Sequence, residues 1–172
     1  MTPDGTIPIA PYDPRWPHLF LAERARLMAT LAGRALRIEH TGSTAVPGLA
    51  AKPIVDITLT VADSSDEPTY VPALTGAGYI LRIREPAWHE HRMFKGPDTD
   101  VNLHVLSDGC PEIDRILLLR DWLRSQPADR DLYARTKREL AGRQWNSVDE
   151  YAAAKTAVIE EILARARNRL YS

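Results

Sequence analysis

The polar run His40-Thr41-Gly42-Ser43-Thr44 is followed, thirteen positions after Ser43, by Asp56, with Lys52 between them. These residue types suit one kind of chemistry. Glycine lets backbone N–H groups approach an anion and a serine hydroxyl adds a donor, so Gly42-Ser43, with Thr44 beside it, reads as a turn that could cradle a phosphate. An ordinary strand-to-helix turn has the same composition. Asp56 makes the pattern more specific. It interrupts the run Ile54-Val55-Asp56-Ile57-Thr58-Leu59, where a carboxylate is costly to bury unless a cation or a metal ion meets it. An arginine partner, or a solvated sheet face shared with Thr58 and Thr60, would also account for it.

Other side chains could join this group. Asp100, Asn102 and His104 alternate with Val101, Leu103 and Val105, so the three polar groups share one strand face. If that strand lies beside the Asp56 strand, His104 or Asp100 could meet Asp56; a buried structural histidine is the alternative. His89 and His91 are two apart and, with His104 or His40, could hold zinc, but no further ligand stands at a diagnostic spacing. The single cysteine, Cys110, leaves no intramolecular disulfide and no cysteine-rich zinc site, and reads as packing. Among the cations, Lys52 and Arg92 are the best placed to meet a phosphate, whereas Arg82 and Arg84 read as surface charge. The charged stretch 129–143 reads as a solvated helix face, and the four tryptophans as packing residues.

The bulk numbers set limits around this site. A chain of 172 residues with 44% hydrophobic and 26% charged residues suits one domain, 1–172, with residues 1–10 as a loose lead-in. A net charge of −1 gives no global field to recruit nucleic acid. No apolar run approaches the roughly 20 residues that a bilayer requires. The N-terminus has neither a charged region nor a long apolar stretch, so the expected setting is the cytoplasm.

The elements that must position the site follow from periodicity. Tyr12-Asp13-Pro14-Arg15-Trp16-Pro17 leads into a helix through Phe20, Leu27 and Leu31, ended by Gly33. Strands are expected at residues 36–39, 54–61, 79–85, 88–95 and 100–106, with a short helix at 69–77. From Pro111 onward the chain reads as helix, broken at Pro127, resumed over 132–144, and resumed again after the capping box Ser147-Val148-Asp149-Glu150. The strands are too clustered for a doubly wound sheet. The expected fold class is α+β: a mixed sheet of about five strands with flanking helices, the C-terminal helices packed on the sheet or bundled at one end.

The segment from His40 to Asp56 resembles the signature of the GrpB family. The likeness extends to the run from Tyr12 to Pro17, to Arg92-Met93-Phe94-Lys95, to Leu103-His104-Val105, to Arg120-Asp121 with Arg124, and to Tyr151 and Lys155. This resemblance implies a nucleotidyltransferase-like fold, in which a Gly-Ser turn holds nucleotide phosphates and strand carboxylates hold Mg²⁺. It marks Gly42 and Ser43 as that turn, Asp56 as the first carboxylate and metal ligand, and His104 on the third strand. Thr58 stands where a second carboxylate belongs. The expected ligand is a nucleotide or another phosphorylated small molecule, bound through Gly42, Ser43, Thr44, Lys52 and Arg92, with Asp56, His104 and Asp100 as candidate catalytic residues and Mg²⁺ as the candidate cofactor. The alternatives are a ligand-sensing or interaction module that has lost catalysis and, behind it, a histidine-based metal hydrolase.

Overall fold

In the computed structural model, residues 2–172 are described. Among them, β1 (Arg37–Thr41), β2 (Val55–Val61), β3 (Ile80–Glu85), β4 (His91–Lys95) and β5 (Val101–Ser107) form one mixed sheet in the order β1-β2-β5-β4-β3. β2 and β5 run parallel at its centre, and the other pairs are antiparallel. The register of the parallel pair sets Asp56 opposite Asn102 and Thr58 opposite His104. The α+β class and the five strands agree with the sequence pattern.

The two faces of the sheet differ because side chains alternate along each strand. Val55, Ile57, Leu59 and Val61 from β2, with Val101, Leu103 and Val105 from β5, are buried against α1 (Trp16–Leu31) and α2 (Glu67–Gly76). Leu27 and Leu31 of α1 and Tyr70 and Leu74 of α2 complete this core. Burying each such side chain stabilises the fold by roughly 1.5–3 kcal/mol relative to exposure. The opposite face carries Asp56, Thr58 and His104.

That polar face meets the C-terminal helices. α3 (Pro111–Ser125) packs Ile113 and Leu117 on Leu106 of β5. α4 (Pro127–Ala141) and α6 (Thr156–Leu170) bring Tyr133, Val158 and Ile162 against Val46 and Leu49, the segment that follows the Gly42 turn. α5 (Val148–Ala154) begins at Ser147, whose hydroxyl accepts from the Glu150 N–H at 3.2 Å, as the capping box predicts. The C-terminal bundle therefore braces the turn as well as the sheet. No helix among the described residues is long and apolar enough to cross a membrane.

Several boundaries differ from the sequence reading. The lead-in is docked: Ile7 is buried with Leu140, Ala141 and Tyr151, and Ala10 and Ala51 exchange backbone hydrogen bonds of 2.8 and 3.0 Å. An apolar Ile7 gains more from that burial than from remaining loose. Met1 lies outside the described residues. Pro127 opens α4, because proline suits a first turn, so the helix starts five residues before the expected position, 132. β4 starts at His91, since His89 and Glu90 take left-handed φ values of 56° and 50° in a tight turn closed by a 3.1 Å bond from the His91 N–H to the Trp88 carbonyl.

Candidate functional site

The turn after β1 is built around Gly42, whose φ is 70°. Ser43–Ala45 then form a single 3-10 turn, with the Val46 N–H donating to the Ser43 carbonyl at 3.1 Å. Two arginines of α3 hold it from outside: Arg124 Nε donates to the Ala45 carbonyl at 2.8 Å and Arg120 Nη1 to the His40 carbonyl at 3.1 Å. His40 is buried, stacked on Phe20, and shares a 2.9 Å hydrogen bond with the Thr44 hydroxyl. Burial pushes its imidazole down to about 4, so at neutral pH it is an uncharged strut of the turn.

The parallel β2–β5 pair brings Asp56 and His104 together. His104 Nε2 lies 3.1 Å from Asp56 Oδ1. Its other ring nitrogen, Nδ1, lies 3.0 Å from Nε2 of His91, and the two rings stack with centroids 5.2 Å apart. His91 Nδ1 in turn lies 2.7 Å from Glu85 Oε1. Burial lowers the His91 pKa, and the bond to Glu85 opposes that effect. Sequence spacing identified Asp56 and His104. Glu85 joins through the β3–β4 hairpin, and the positive-φ turn at His89 and Glu90 supplies no sequence signal beyond its polarity.

Two cavities meet at Ser43 and Asp56. The larger, about 460 Å³, lies between the polar sheet face and α3, with Trp88, Leu106, Ile116 and Leu119 in its walls and His91 and His104 at its floor. Its arginines are neutralised locally, Arg115 by Glu112 and Glu160, and Arg120 by Glu39 and Asp121. The smaller, about 100 Å³, is lined by Ser43, Thr44, Lys52, Lys137, Tyr151 and Lys155.

Of the four lysines in the chain, Lys95 is ion-paired, with Asp100, and the other three surround this small cavity. Lys137 is buried, and its ammonium donates to the Ala50 carbonyl at 2.5 Å. Burial, together with Lys155 and Lys52, brings its pKa down to about 7. Burial also lowers Lys52 and Lys155, and Asp56 opposes both shifts. Lys52 and Lys155 lie 5.9 and 4.6 Å from the centroid of the Tyr151 ring. The Tyr151 hydroxyl is buried with no hydrogen-bond partner among the described residues, and burial holds its pKa up at about 12, which keeps it a proton donor. Sequence reasoning missed Lys137, Tyr151 and Lys155 as site residues; the resemblance had marked the last two without a role.

Gly42, Ser43, Asp56 and His104 line the larger cavity, and Ser43, Thr44, Lys52 and Asp56 the smaller. Two expected residues lie elsewhere. Arg92 pairs across from Val105, on the face that α1 and α2 cover, and is buried against Glu67 at 2.7 Å and Glu90 at 3.1 Å. Those carboxylates stabilise its charge, and it reaches neither cavity. Asp100 precedes β5, is exposed, accepts from Lys95 at 2.8 Å, and lines neither cavity. The zinc alternative loses its ligands as well: His40 is bonded to Thr44, and no group of three His, Cys, Asp or Glu residues among those described could hold a metal ion. The donor set does not fit two Mg²⁺ ions either. At the position of the second carboxylate, the Thr58 hydroxyl shares a buried 2.9 Å hydrogen bond with Thr41, and Mg²⁺ binds through carboxylates and phosphates rather than imidazole.

Residues 6–165 match the family model described as GrpB protein. A UPF0157 protein of Halalkalibacterium halodurans is 58% identical over 163 residues, covering 95% of this chain and 84% of that protein. The crystal structure of the conserved protein GrpB from Enterococcus faecalis superposes with a TM-score of 0.83 at 30% identity, over 96% of this chain and 100% of that one. A structure of the Cid1 poly(U) polymerase with MgGTP bound aligns with a TM-score of 0.49 at 15% identity, over 76% of this chain and 45% of that one.

Proposed function

The chain belongs to the GrpB family, and from that premise we propose that it binds a phosphorylated small molecule, a nucleotide foremost. The phosphates would occupy the small cavity, between the Ser43 turn and Lys52, Lys137 and Lys155. The organic part would lie in the larger cavity, where Trp88 offers a flat apolar wall.

One observation carries this reading. Three lysines share a cavity of about 100 Å³, none of them neutralised by an ion pair among the described residues, beside a buried tyrosine hydroxyl that lacks a partner there. Like charges brought together under burial are unfavourable by themselves, and an oxyanion relieves the repulsion and supplies the missing acceptor. The Gly42 turn adds a serine hydroxyl at the same cavity.

A second reading, ligand sensing without group transfer, is favoured by Thr58, whose hydroxyl is committed to Thr41 where a second carboxylate would stand. The two readings share the binding step. Isothermal titration of the full chain with ATP, GTP, CTP and UTP, and with adenosine, tests that step. The expected result is binding of at least one triphosphate, none of adenosine at the same concentration, and loss of binding in Lys155→Met. Failure of all four triphosphates to bind at millimolar concentration would overturn the proposal. Release of pyrophosphate from the bound triphosphate then separates transfer from sensing.

A further inference from the structure

The small cavity has a charge and a size that constrain what it can hold. Its charged lining is Lys52, Lys137 and Lys155 on one side of the balance and Asp56 on the other. With an anion bound and all three ammoniums charged, three positive charges against one negative leave a net charge of +2. A phosphomonoester carries about −1.5 to −2 at pH 7, so one such group balances the cavity. The volume agrees. A cavity of about 150 Å³ accepts benzene, with its six heavy atoms, so one of about 100 Å³ accepts a group of roughly four or five. A phosphoryl group with its ester oxygen is of that size, and a triphosphate chain is far larger.

The free cations stop at the edge of this cavity. It shares Ser43 and Asp56 with the larger one, so a ligand that reaches into both passes those side chains. Beyond them, among the described residues, the larger cavity has no unpaired lysine or arginine in its walls: Arg115 is held by Glu112 and Glu160, and Arg120 by Glu39 and Asp121. It presents carboxylates instead, those of Asp56, Glu85 and Glu112. A second phosphoryl group would stand against the Asp56 carboxylate with no free cation beside it.

We propose that the small cavity is a pocket for one terminal phosphoryl group, and that the ligand class is a phosphomonoester, such as a nucleoside monophosphate, rather than a polyphosphate. This rests on the phosphate-binding reading and narrows it. The Tyr151 hydroxyl, buried and without a partner among the described residues, donates to a terminal oxygen of that group. The lysines supply the two charges that Asp56 does not offset. A phosphodiester fits poorly on two counts: it carries a single negative charge, and it brings a second ester substituent into a cavity with room for one phosphoryl group. A triphosphate can enter only by its end. Its other two phosphoryl groups then lie beside Asp56 and hold the organic part further from the Trp88 wall.

Isothermal titration of the full chain at pH 7 in EDTA, with the mono-, di- and triphosphates of adenosine, guanosine, cytidine and uridine, tests this. EDTA removes divalent cations that would neutralise the longer chains. For the nucleoside that binds best, the monophosphate is expected to bind roughly tenfold tighter than the triphosphate, with the diphosphate between them. Its 3′,5′-cyclic monophosphate, a diester, is expected to bind more weakly than the open monoester. Asp56→Asn removes the opposing carboxylate at nearly constant shape and should narrow the gap, by strengthening the triphosphate more than the monophosphate. A triphosphate that binds as tightly as its monophosphate, or more tightly, would overturn the one-group pocket and leave phosphate binding standing. A cyclic diester that equals the monoester, or a gap unchanged in Asp56→Asn, would do the same. Binding of none of these compounds would overturn phosphate binding itself, and the pocket with it.

Discussion

Gly42 lies with its α-carbon directly against the carboxylate of Asp56: a Cβ at Gly42 would stand 2.6 Å from Oδ2 and 3.1 Å from the Cβ of Asp56. The antiparallel register that pairs Thr41 with Asp56 produces this approach, because the turn begins where the strand pair ends. The Gly42 turn and the carboxylate are thus one packed unit. The glycine serves two needs at once, a left-handed backbone and room for the Asp56 side chain.

Gly42→Ala is expected to destabilise the protein by about 1–3 kcal/mol for the backbone conformation alone, with a further loss from the contact with Asp56. Gly48→Ala separates the two effects. Gly48 has a φ of 81°, and a Cβ there would meet nothing within 4 Å among the described residues, so it suffers the backbone cost without the clash. Urea denaturation of both variants measures the difference. Equal losses would show that Asp56 moves aside freely and that the close approach has no energetic weight.

Lys137 is expected to make the proposed phosphate binding pH-dependent in a defined direction. With no anion beside it, its pKa is near 7, and a bound phosphate raises it. Below about 7 the ammonium is already charged and affinity is greatest. Above that value binding must take up a proton, so affinity falls as pH rises until the bound-state pKa is passed. At pH 8 the apparent binding enthalpy of ATP should therefore vary with the ionisation enthalpy of the buffer. Lys137→Met should bind more weakly and lose that variation. A native enthalpy independent of buffer would remove Lys137 from the phosphate site.

Legibility in the sequence ended where tertiary placement began. The meeting of Asp56 and His104 follows from alternation, since each lies on the polar face of a strand and those strands are neighbours. Asp100 shares the alternation of His104, but β5 starts one residue after it, and an exposed strand start offers it to Lys95 instead. Arg92 suits a phosphate by type, yet its position on the α1 and α2 face commits it to Glu67 and Glu90. Lys137 sits in a charged helix that reads as solvated. It is buried because Tyr133, one turn earlier, faces Val46 and Leu49 and turns the same stripe inward. Lys155 joins it where α5 gives way to α6. Helix orientation and the break at Lys155 are properties of the packed bundle, and no local spacing encodes them.

His40 should make the protein acid-sensitive above the range in which its carboxylates titrate. Its folded pKa is about 4, against an ordinary value of 6.5. Above 6.5 neither state takes the proton and His40 contributes nothing to the pH dependence. As the pH falls below 6.5 the unfolded chain takes up a proton that the folded chain refuses, so stability declines until about pH 4, by on the order of 3 kcal/mol in all. His40→Phe keeps an aromatic ring against Phe20 but cannot titrate, and it leaves the Thr44 hydroxyl without its partner. The variant should be less stable than the native protein at pH 7 and should lose stability less steeply between pH 6.5 and pH 4.5. Urea midpoints at several pH values in that window measure both effects. Parallel curves for the two proteins would assign the acid sensitivity to other groups. A difference between them would identify His40 as the residue through which acid loosens the Ser43 turn.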